Sequence, residues 1–300
     1  MRATEKETAR NGLAVYFVVL IAGSAFFEWR VLLSGQSIDN VPLLILGLMY
    51  MPATASLVAR IALREGFSDI SLRFGGSESL GAMCLAWIYP MIVGFLAYGI
   101  AWTSGLAEFQ SPLSPRSHLY VPSGFANFLS SFLVAATVGT IVSCVSTFGE
   151  ELGWRGYMLT RLIAAGVPKP VLVSGIIWAL WHVPIIVSGQ YAAGSRPRLS
   201  ATLFVIGVIA EGYLIAFLRL RSGSIWPAVL MHGAWNAIIQ GAFDRATAGT
   251  PLIVGESGWL TVTVIIAFVL TATTGDWSLY QAPGKQLTPP SGRPATTWTL

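Results

Sequence analysis

The chain contains 300 residues, of which 54% are hydrophobic and only 11% carry a charged side chain. This composition is too apolar for an ordinary soluble domain of this length, and it indicates a protein that lies in a lipid bilayer. The formal net charge of +4 requires no nucleic-acid partner, because the positions of the basic residues follow from membrane topology.

Eight segments of the sequence are apolar enough to cross a bilayer as helices. A spanning helix needs roughly 20 mainly apolar residues to cover the hydrocarbon core. The predicted spans are 13–33, 41–61, 80–102, 128–147, 170–188, 200–218, 224–243 and 258–274. We therefore expect an all-α, polytopic membrane bundle of about eight transmembrane helices.

The chain divides into three predicted parts: a cytoplasmic segment at 1–12, a transmembrane bundle at 13–276 and a tail at 277–300. The tail is rich in Pro, Gly, Ser and Thr and lacks an apolar pattern, so we expect it to be disordered. Thirteen of the 18 basic residues fall on the cytoplasmic side if the N-terminus lies in the cytoplasm. Since basic residues accumulate there, we expect both termini in the cytoplasm of a prokaryotic cell, with the bundle in its inner or plasma membrane.

Glu150, Glu151 and Arg155 are three ionisable residues that lie close together where the fourth predicted helix is expected to continue to about residue 161. A charge inside a span costs on the order of 2.5 to 3.5 kcal/mol, so such a group is a functional hypothesis. Glu151 and Arg155 lie four residues apart on one helix face and are expected to pair and to support the site. Glu150 projects about 100° away around the helix and is free to act on water.

Two of the three histidines lie in later spans. The pairs Trp178 with His182 and His232 with Asn236 are each four residues apart, so each pair shares one helix face. At ~1.5 Å per residue, Glu150, His182, His232 and Asn236 lie roughly 12 to 20 Å deep from the same side of the membrane. We expect three helices to bring these residues together around a polar cavity that is open to the cytoplasm.

These residue types suit the hydrolysis of a peptide bond. A carboxylate beside an imidazole, Glu150 with His182, can take a proton from water as the water attacks a carbonyl. A second imidazole and an amide, His232 with Asn236, can donate hydrogen bonds to the developing oxyanion. Neither a covalent nucleophile nor a cofactor is required, so the pattern predicts a metal-independent endopeptidase.

Other interpretations of the same residues remain open. The polar groups could simply hydrogen-bond to one another between helices. A glutamate and two histidines could also bind zinc, although the zinc-protease motif HExxH is absent. Glu211 lies about 12 Å from Arg219 along its helix and could face the same cavity. Glu28, near a span end beside Arg30, is expected to be solvated, as is His118 in a loop rich in Pro and Ser.

The three motifs together resemble the CPBP family, membrane proteases that include type II CAAX prenyl endopeptidases and bacterial Abi-type, bacteriocin-processing relatives. The resemblance runs from about 147 to 237. The motifs are EExxxR at Glu150, Glu151 and Arg155, an aromatic residue four before a histidine at Trp178 and His182, and HxxxN at His232 and Asn236. It implies a glutamate-type intramembrane protease in which the first Glu and the middle His activate water and the last His and Asn form the oxyanion hole.

The sequence departs from the family pattern at two positions. Trp178 stands where the commonest pattern has Phe, and Glu211 adds a charge that the family does not predict. The expected substrate is a membrane-associated protein or peptide, prenylated or not. The alternative function is that of a non-catalytic membrane immunity or interaction protein.

Overall fold

The computed structural model describes residues 3–110, 124–248 and 252–273, and most of them are helical. The first helices are α1 (Ala3–Ser34), α2 (Pro42–Met49), α3 (Met51–Leu63), α4 (Ser77–Ser104), α5 (Phe125–Val134) and α6 (Thr140–Gly153). The later helices are α7 (Leu159–Ala164), α8 (Pro170–Trp181), α9 (Val183–Val187), α10 (Pro197–Ser222), α11 (Trp226–Trp235) and α12 (Trp259–Thr273). Two short strands, β1 (Glu108–Phe109) and β2 (Thr247–Ala248), pair in antiparallel orientation.

Within the described parts of the chain, six helical stretches are long and apolar enough to cross a membrane. They are Glu5–Ser34, Pro42–Leu63, Ser79–Ser104, Phe125–Ala164, Pro170–Val187 and Pro197–Ser222. Large apolar side chains such as Leu43 and Ile141, 80% and 71% exposed, cover the outside of the bundle. An apolar exterior of this kind is expected where lipid replaces water. The predicted all-α, polytopic membrane bundle is confirmed.

The predicted segments differ from the helices in several details. The last two predicted spans are helical, but 224–243 combines α11 with a π-helical turn, and α12 has only 15 residues. The second predicted span is broken between α2 and α3 at Tyr50, just before Pro52, which lacks a backbone N–H. Helix α1 already begins at Ala3, ten residues before the predicted span. The tail at 277–300 and His118 lie outside the described residues.

Two π-helical turns in the described chain contain predicted site residues. The first, Trp154–Met158, joins α6 to α7 and contains Arg155. The second, Asn236–Phe243, continues α11 and begins with Asn236. Such turns change the direction in which side chains leave a helix, and they are frequent at functional sites.

The bundle has two ends, which we name by their connections. The N-terminal face holds the start of α1 and the connections 64–76, 165–169 and 223–225, and the distal face holds 35–41, 188–196 and 252–258. Between them, α10 occupies the centre of the bundle. In its most apolar stretch 67% of the residues are buried, against 28% to 39% in the other five spanning stretches.

Ion pairs fasten the N-terminal face. Asp69 accepts hydrogen bonds from Arg60 at 2.7 Å and from Arg161 at 2.8 Å, and Arg161 also pairs with Glu65 at 2.9 Å. Arg219 donates to the backbone carbonyl of Asp69 at 2.8 Å. These contacts join α3, α7 and α10 through the 64–76 connection.

Candidate active site

Three helices present the predicted site residues to one another. Helix α6 carries Glu150 and Glu151, the junction of α8 and α9 carries His182, and α11 carries His232. His182 ends α8 because Pro184, two residues later, has no N–H for a helical hydrogen bond to the preceding turn. The polar side chains are therefore placed deep within the apolar bundle.

Glu151 joins Arg155 and His232. Its Oε1 accepts a hydrogen bond from Arg155 Nη1 at 2.8 Å and lies 3.0 Å from His232 Nδ1. The side chains of Glu151 and Arg155 are completely buried. The contact between Glu151 and Arg155 is the one that their four-residue spacing predicts, and it joins α6 to the following π-helical turn.

Glu150 points away from this ion pair and is held by two indoles. Its Oε2 accepts hydrogen bonds from Trp154 Nε1 at 3.2 Å and from Trp178 Nε1 at 3.1 Å. Glu150 is only 2% exposed. The two glutamates therefore have different partners, a cation for Glu151 and neutral donors for Glu150.

Trp178 contacts each part of the site. Besides its hydrogen bond to Glu150, its ring lies 4.2 Å from the guanidinium carbon of Arg155. Its ring centroid is 5.9 Å from that of His182 and 5.3 Å from that of His232. In the sequence Trp178 is mainly a departure from the usual Phe. Only the packing shows that its indole donates a hydrogen bond to Glu150.

The backbone determines how the His182 ring is protonated. Nδ1 lies 2.9 Å from the carbonyl oxygen of Trp178. Because a carbonyl can only accept, Nδ1 must carry the hydrogen, and in the neutral ring Nε2 is left with a free lone pair. His182 therefore presents a proton acceptor at Nε2.

Six predicted residues share one cavity of about 140 Å³: Glu150, Trp178, His182, Glu211, His232 and Asn236. Asn236 Oδ1 accepts a hydrogen bond from Gln240 Nε2 at 3.2 Å, so its own NH₂ group remains available as a donor. Glu151 and Arg155 do not line the cavity. Among the described side chains, no three His, Cys, Asp or Glu residues are grouped as a metal site requires.

A second cavity of about 490 Å³ adjoins the first, and the two share Tyr191, Asn236, Gln240 and Glu256 as lining residues. Its wall includes Asp39, which is exposed on the distal face. The opening therefore lies at the end of the bundle opposite to the start of α1. We predicted that the N-terminus and the opening of the cavity lie on the same, cytoplasmic side of the membrane. This prediction is wrong, because the polar half of the cavity is built from the distal ends of the helices.

A polar group that no sequence pattern predicted lies at the junction of the two cavities. Glu256 Oε1 accepts hydrogen bonds from Trp235 Nε1 at 2.8 Å and from Gln240 Nε2 at 3.0 Å, and its Oε2 accepts one from the Tyr191 hydroxyl. Burial and the nearby Glu256 carboxylate raise the pKa of Tyr191 well above its usual value, so the hydroxyl remains a donor. Glu256 lies in a loop, where no helical spacing marks it.

Two further carboxylates line the first cavity. Glu211, on central helix α10, is 4% exposed, which agrees with the expectation that it could face the cavity. Glu28, on α1, is half-buried and also lines it. Glu28 thus keeps part of the exposure expected of a solvated residue, and it also forms part of the cavity wall.

The comparisons with known proteins agree with the motifs. A family model described as type II CAAX prenyl endopeptidase Rce1-like matches residues 130–238. The chain is also similar to a protein named CAAX prenyl protease 2 from Methanococcus maripaludis, with 31% identity over 115 residues. That alignment covers 37% of this chain and 41% of the relative, so the chain spans less than half of the relative's length. The matched residues contain all three motifs, and the segment 130–238 is therefore similar to type II CAAX prenyl endopeptidases described as Rce1-like.

Proposed function

We propose that this protein is an intramembrane endopeptidase that hydrolyses a peptide bond of a membrane-associated protein or peptide. The observation that carries the proposal is that Glu150, His182, His232 and Asn236 line one cavity inside a membrane bundle. The match to prenyl endopeptidases supports the reaction class. Whether the substrate is prenylated is left to experiment.

In the proposed reaction, Glu150 and His182 activate the attacking water. Both side chains line the cavity, and the free lone pair on His182 Nε2 can accept the proton of a water that Glu150 orients. The indoles of Trp154 and Trp178 hold one carboxylate oxygen of Glu150 in place. A water between these groups is thereby positioned to attack a carbonyl carbon, and it becomes the hydroxyl of the new carboxyl product. The C–N bond then breaks as the proton taken by His182 passes to the departing amine.

His232 and Asn236 are proposed to stabilise the oxyanion that forms. Because His232 Nδ1 points at Glu151, its Nε2 is the nitrogen left for the substrate, and it donates only when the ring is protonated. The Glu151 carboxylate favours that protonated ring. Asn236 adds a neutral donor, and donors aimed at developing charge are most effective where water is excluded.

The test compares membrane proteins from cells with the wild type, Glu150→Gln and Glu108→Gln. Glu150→Gln keeps the side-chain shape and removes the carboxylate that orients the attacking water, whereas Glu108→Gln changes an exposed residue of β1. New protein termini should appear with the wild type and the control and should vanish with Glu150→Gln. If all three sets of termini agree while the proteins remain folded, a non-catalytic interaction role replaces the proposal.

Metal independence is part of the proposal. Purified protein should contain less than stoichiometric zinc, and cleavage should survive a strong chelator. Loss of cleavage on chelation and its return with zinc would favour a zinc-dependent mechanism with glutamate and histidine ligands instead.

We further propose that the N-terminal face lies in the cytoplasm and that the site opens away from it. The basis is the excess of basic residues on the N-terminal face. An impermeant thiol reagent added to intact cells should label Ser37→Cys on the distal face and not Ser68→Cys on the N-terminal face. The parent chain, whose Cys84 and Cys144 lie within helices, is the background control. The reverse labelling pattern would invert the topology.

A further inference from the structure

Glu211 is a buried carboxylate that the proposed hydrolysis does not use. It is 4% exposed, it lines the catalytic cavity, and none of the described residues donates a hydrogen bond to its Oε1. Glu150 and Glu256, by contrast, receive two and three hydrogen bonds from side chains. A buried acceptor without a donor is expensive in free energy, so each one requires an explanation, and at a cavity wall a ligand is able to supply the missing partner.

The cavities around Glu211 are rich in carboxylates. Four described glutamates line the first cavity: Glu28, Glu150, Glu211 and Glu256. The adjoining cavity adds two aspartates, Asp39 and Asp244, and its described wall contains one arginine, Arg245. In the first cavity the basic side chains among the described lining residues are the two histidines. The field inside the passage therefore favours a cation.

Aromatic rings provide a second, independent indication of a cation. The first cavity is lined by Trp178, Trp181, Tyr191, Phe204 and Trp235. Ring faces attract ammonium and guanidinium groups, and the attraction strengthens when water is excluded. Carboxylates combined with aromatic walls suit an organic cation with an apolar stem better than they suit a bare metal ion.

We propose that Glu211 forms the base of a subsite for a lysine or arginine side chain of the substrate, next to the bond that is cut. This inference rests on the proposed peptidase function and defines its substrate class. The apolar stem of the basic residue lies between the aromatic rings, and its charged end pairs with the carboxylate of Glu211. In this arrangement the peptide enters from the distal face and passes Glu256, and its basic residue is the first to reach the cavity.

The test uses a library of synthetic peptides in phosphatidylglycerol bilayers, which contain no lipid ammonium group. Peptides that differ only in Lys or Gln at each position are incubated with the wild type, Glu211→Gln, Glu211→Asp and the exposed control Glu108→Gln. At one position of the peptide, the wild type, Glu211→Asp and the control should cut the peptide with Lys faster than the peptide with Gln. In Glu211→Gln the Lys/Gln rate ratio should fall by about 30-fold or more, since one member of a buried charge pair is lost.

A binding measurement separates this inference from the proposed function. Decylammonium should raise the unfolding temperature of the wild type more than decanol does, and Glu211→Gln should remove that difference. If the wild type cuts no peptide but shows this selectivity, the peptidase proposal fails and the cation site stands. If peptides are cut with no preference for Lys, or with the same preference in Glu211→Gln, the cation site is wrong and the peptidase proposal stands.

Discussion

The carboxylates at the two ends of the bundle have different kinds of hydrogen-bond partners. At the N-terminal face, Asp69 and Glu65 meet arginines at 2.7 to 2.9 Å. In the cavity beneath the distal face, Glu150 and Glu256 receive hydrogen bonds from neutral groups, and Glu211 Oε1 has no donor among the described residues. None of these three forms an ion pair with a described arginine or lysine.

The difference separates charges that hold the fold from charges that are available to a ligand. The negative charge of a carboxylate beside arginines is already balanced by their positive charges. Such a carboxylate therefore helps to hold the fold together and has little attraction left for a substrate. A buried carboxylate that meets only neutral donors can still exchange a proton or accept a cation. Glu151 lies between the two classes, because Arg155 pairs with it inside the site itself.

We expect the largest loss of stability and activity from breaking the ion pair between Glu151 and Arg155. Arg155→Ala leaves Glu151 buried without a cation, and losing one member of such a pair typically costs ~3 to 5 kcal/mol. Glu151 would also lose the contact that holds its side chain in place beside His232 Nδ1. We therefore expect a large fall in both unfolding temperature and cleavage rate, measured in detergent, whereas Arg198→Ala, at an exposed position, should change neither. Wild-type unfolding with no activity would instead place Arg155 in direct contact with the substrate.

An intermediate effect is expected at the N-terminal face, where the carboxylates belong to the fold alone. Burial raises the pKa of Asp69, but the hydrogen bond from Arg60 and the charge of Arg161 outweigh it, and the net pKa lies below the usual value. A depressed pKa stabilises the fold above the unfolded value of about 3.9, and the gain is lost as pH falls through the folded pKa. Asp69→Asn should therefore cost about 1.5 to 3 kcal/mol at neutral pH.

The pH dependence distinguishes this charge effect from a packing effect. The difference in unfolding free energy between wild type and Asp69→Asn should shrink below about pH 4. Asp39→Asn, at an exposed position without an ion pair among the described residues, should leave stability unchanged both at neutral pH and below pH 4. A difference that stays constant down to pH 2 would mean that the asparagine disturbs packing and not charge.

The smallest expected effect concerns the donor that Trp178 supplies to Glu150. Trp178→Phe keeps an aromatic ring and removes one hydrogen bond to the carboxylate, worth about 1 to 2 kcal/mol, so cleavage should slow by about tenfold. The matched control is Trp181→Phe, whose indole donates to Ser24 Oγ at 2.8 Å and not to Glu150. Equal losses in the two variants would show that ring size, and not the donated hydrogen bond, sets the rate.

Composition and residue spacing predicted the all-α membrane bundle and the grouping of Glu150, His182, His232 and Asn236 at one cavity. Apolar segments of bilayer length have few structures open to them other than helices, because backbone groups in lipid must bond within their own segment. Four-residue spacing likewise placed Glu151 with Arg155 and put Trp178 and His182 on one side of α8. Regular helical geometry is local, so it can be read from the chain without knowledge of its neighbours.

The packing of the helices sets the face at which the cavity opens and the further residues that line it. Glu256 reaches the site from a loop, and Glu28 lines the cavity from α1, whose Ser24 accepts a hydrogen bond from Trp181 in the same cavity wall. Spacing along one helix carries no information about either residue. Depth was estimated from helix length, yet the position of the opening depends on where helices separate, which is a property of packing between segments far apart in the sequence.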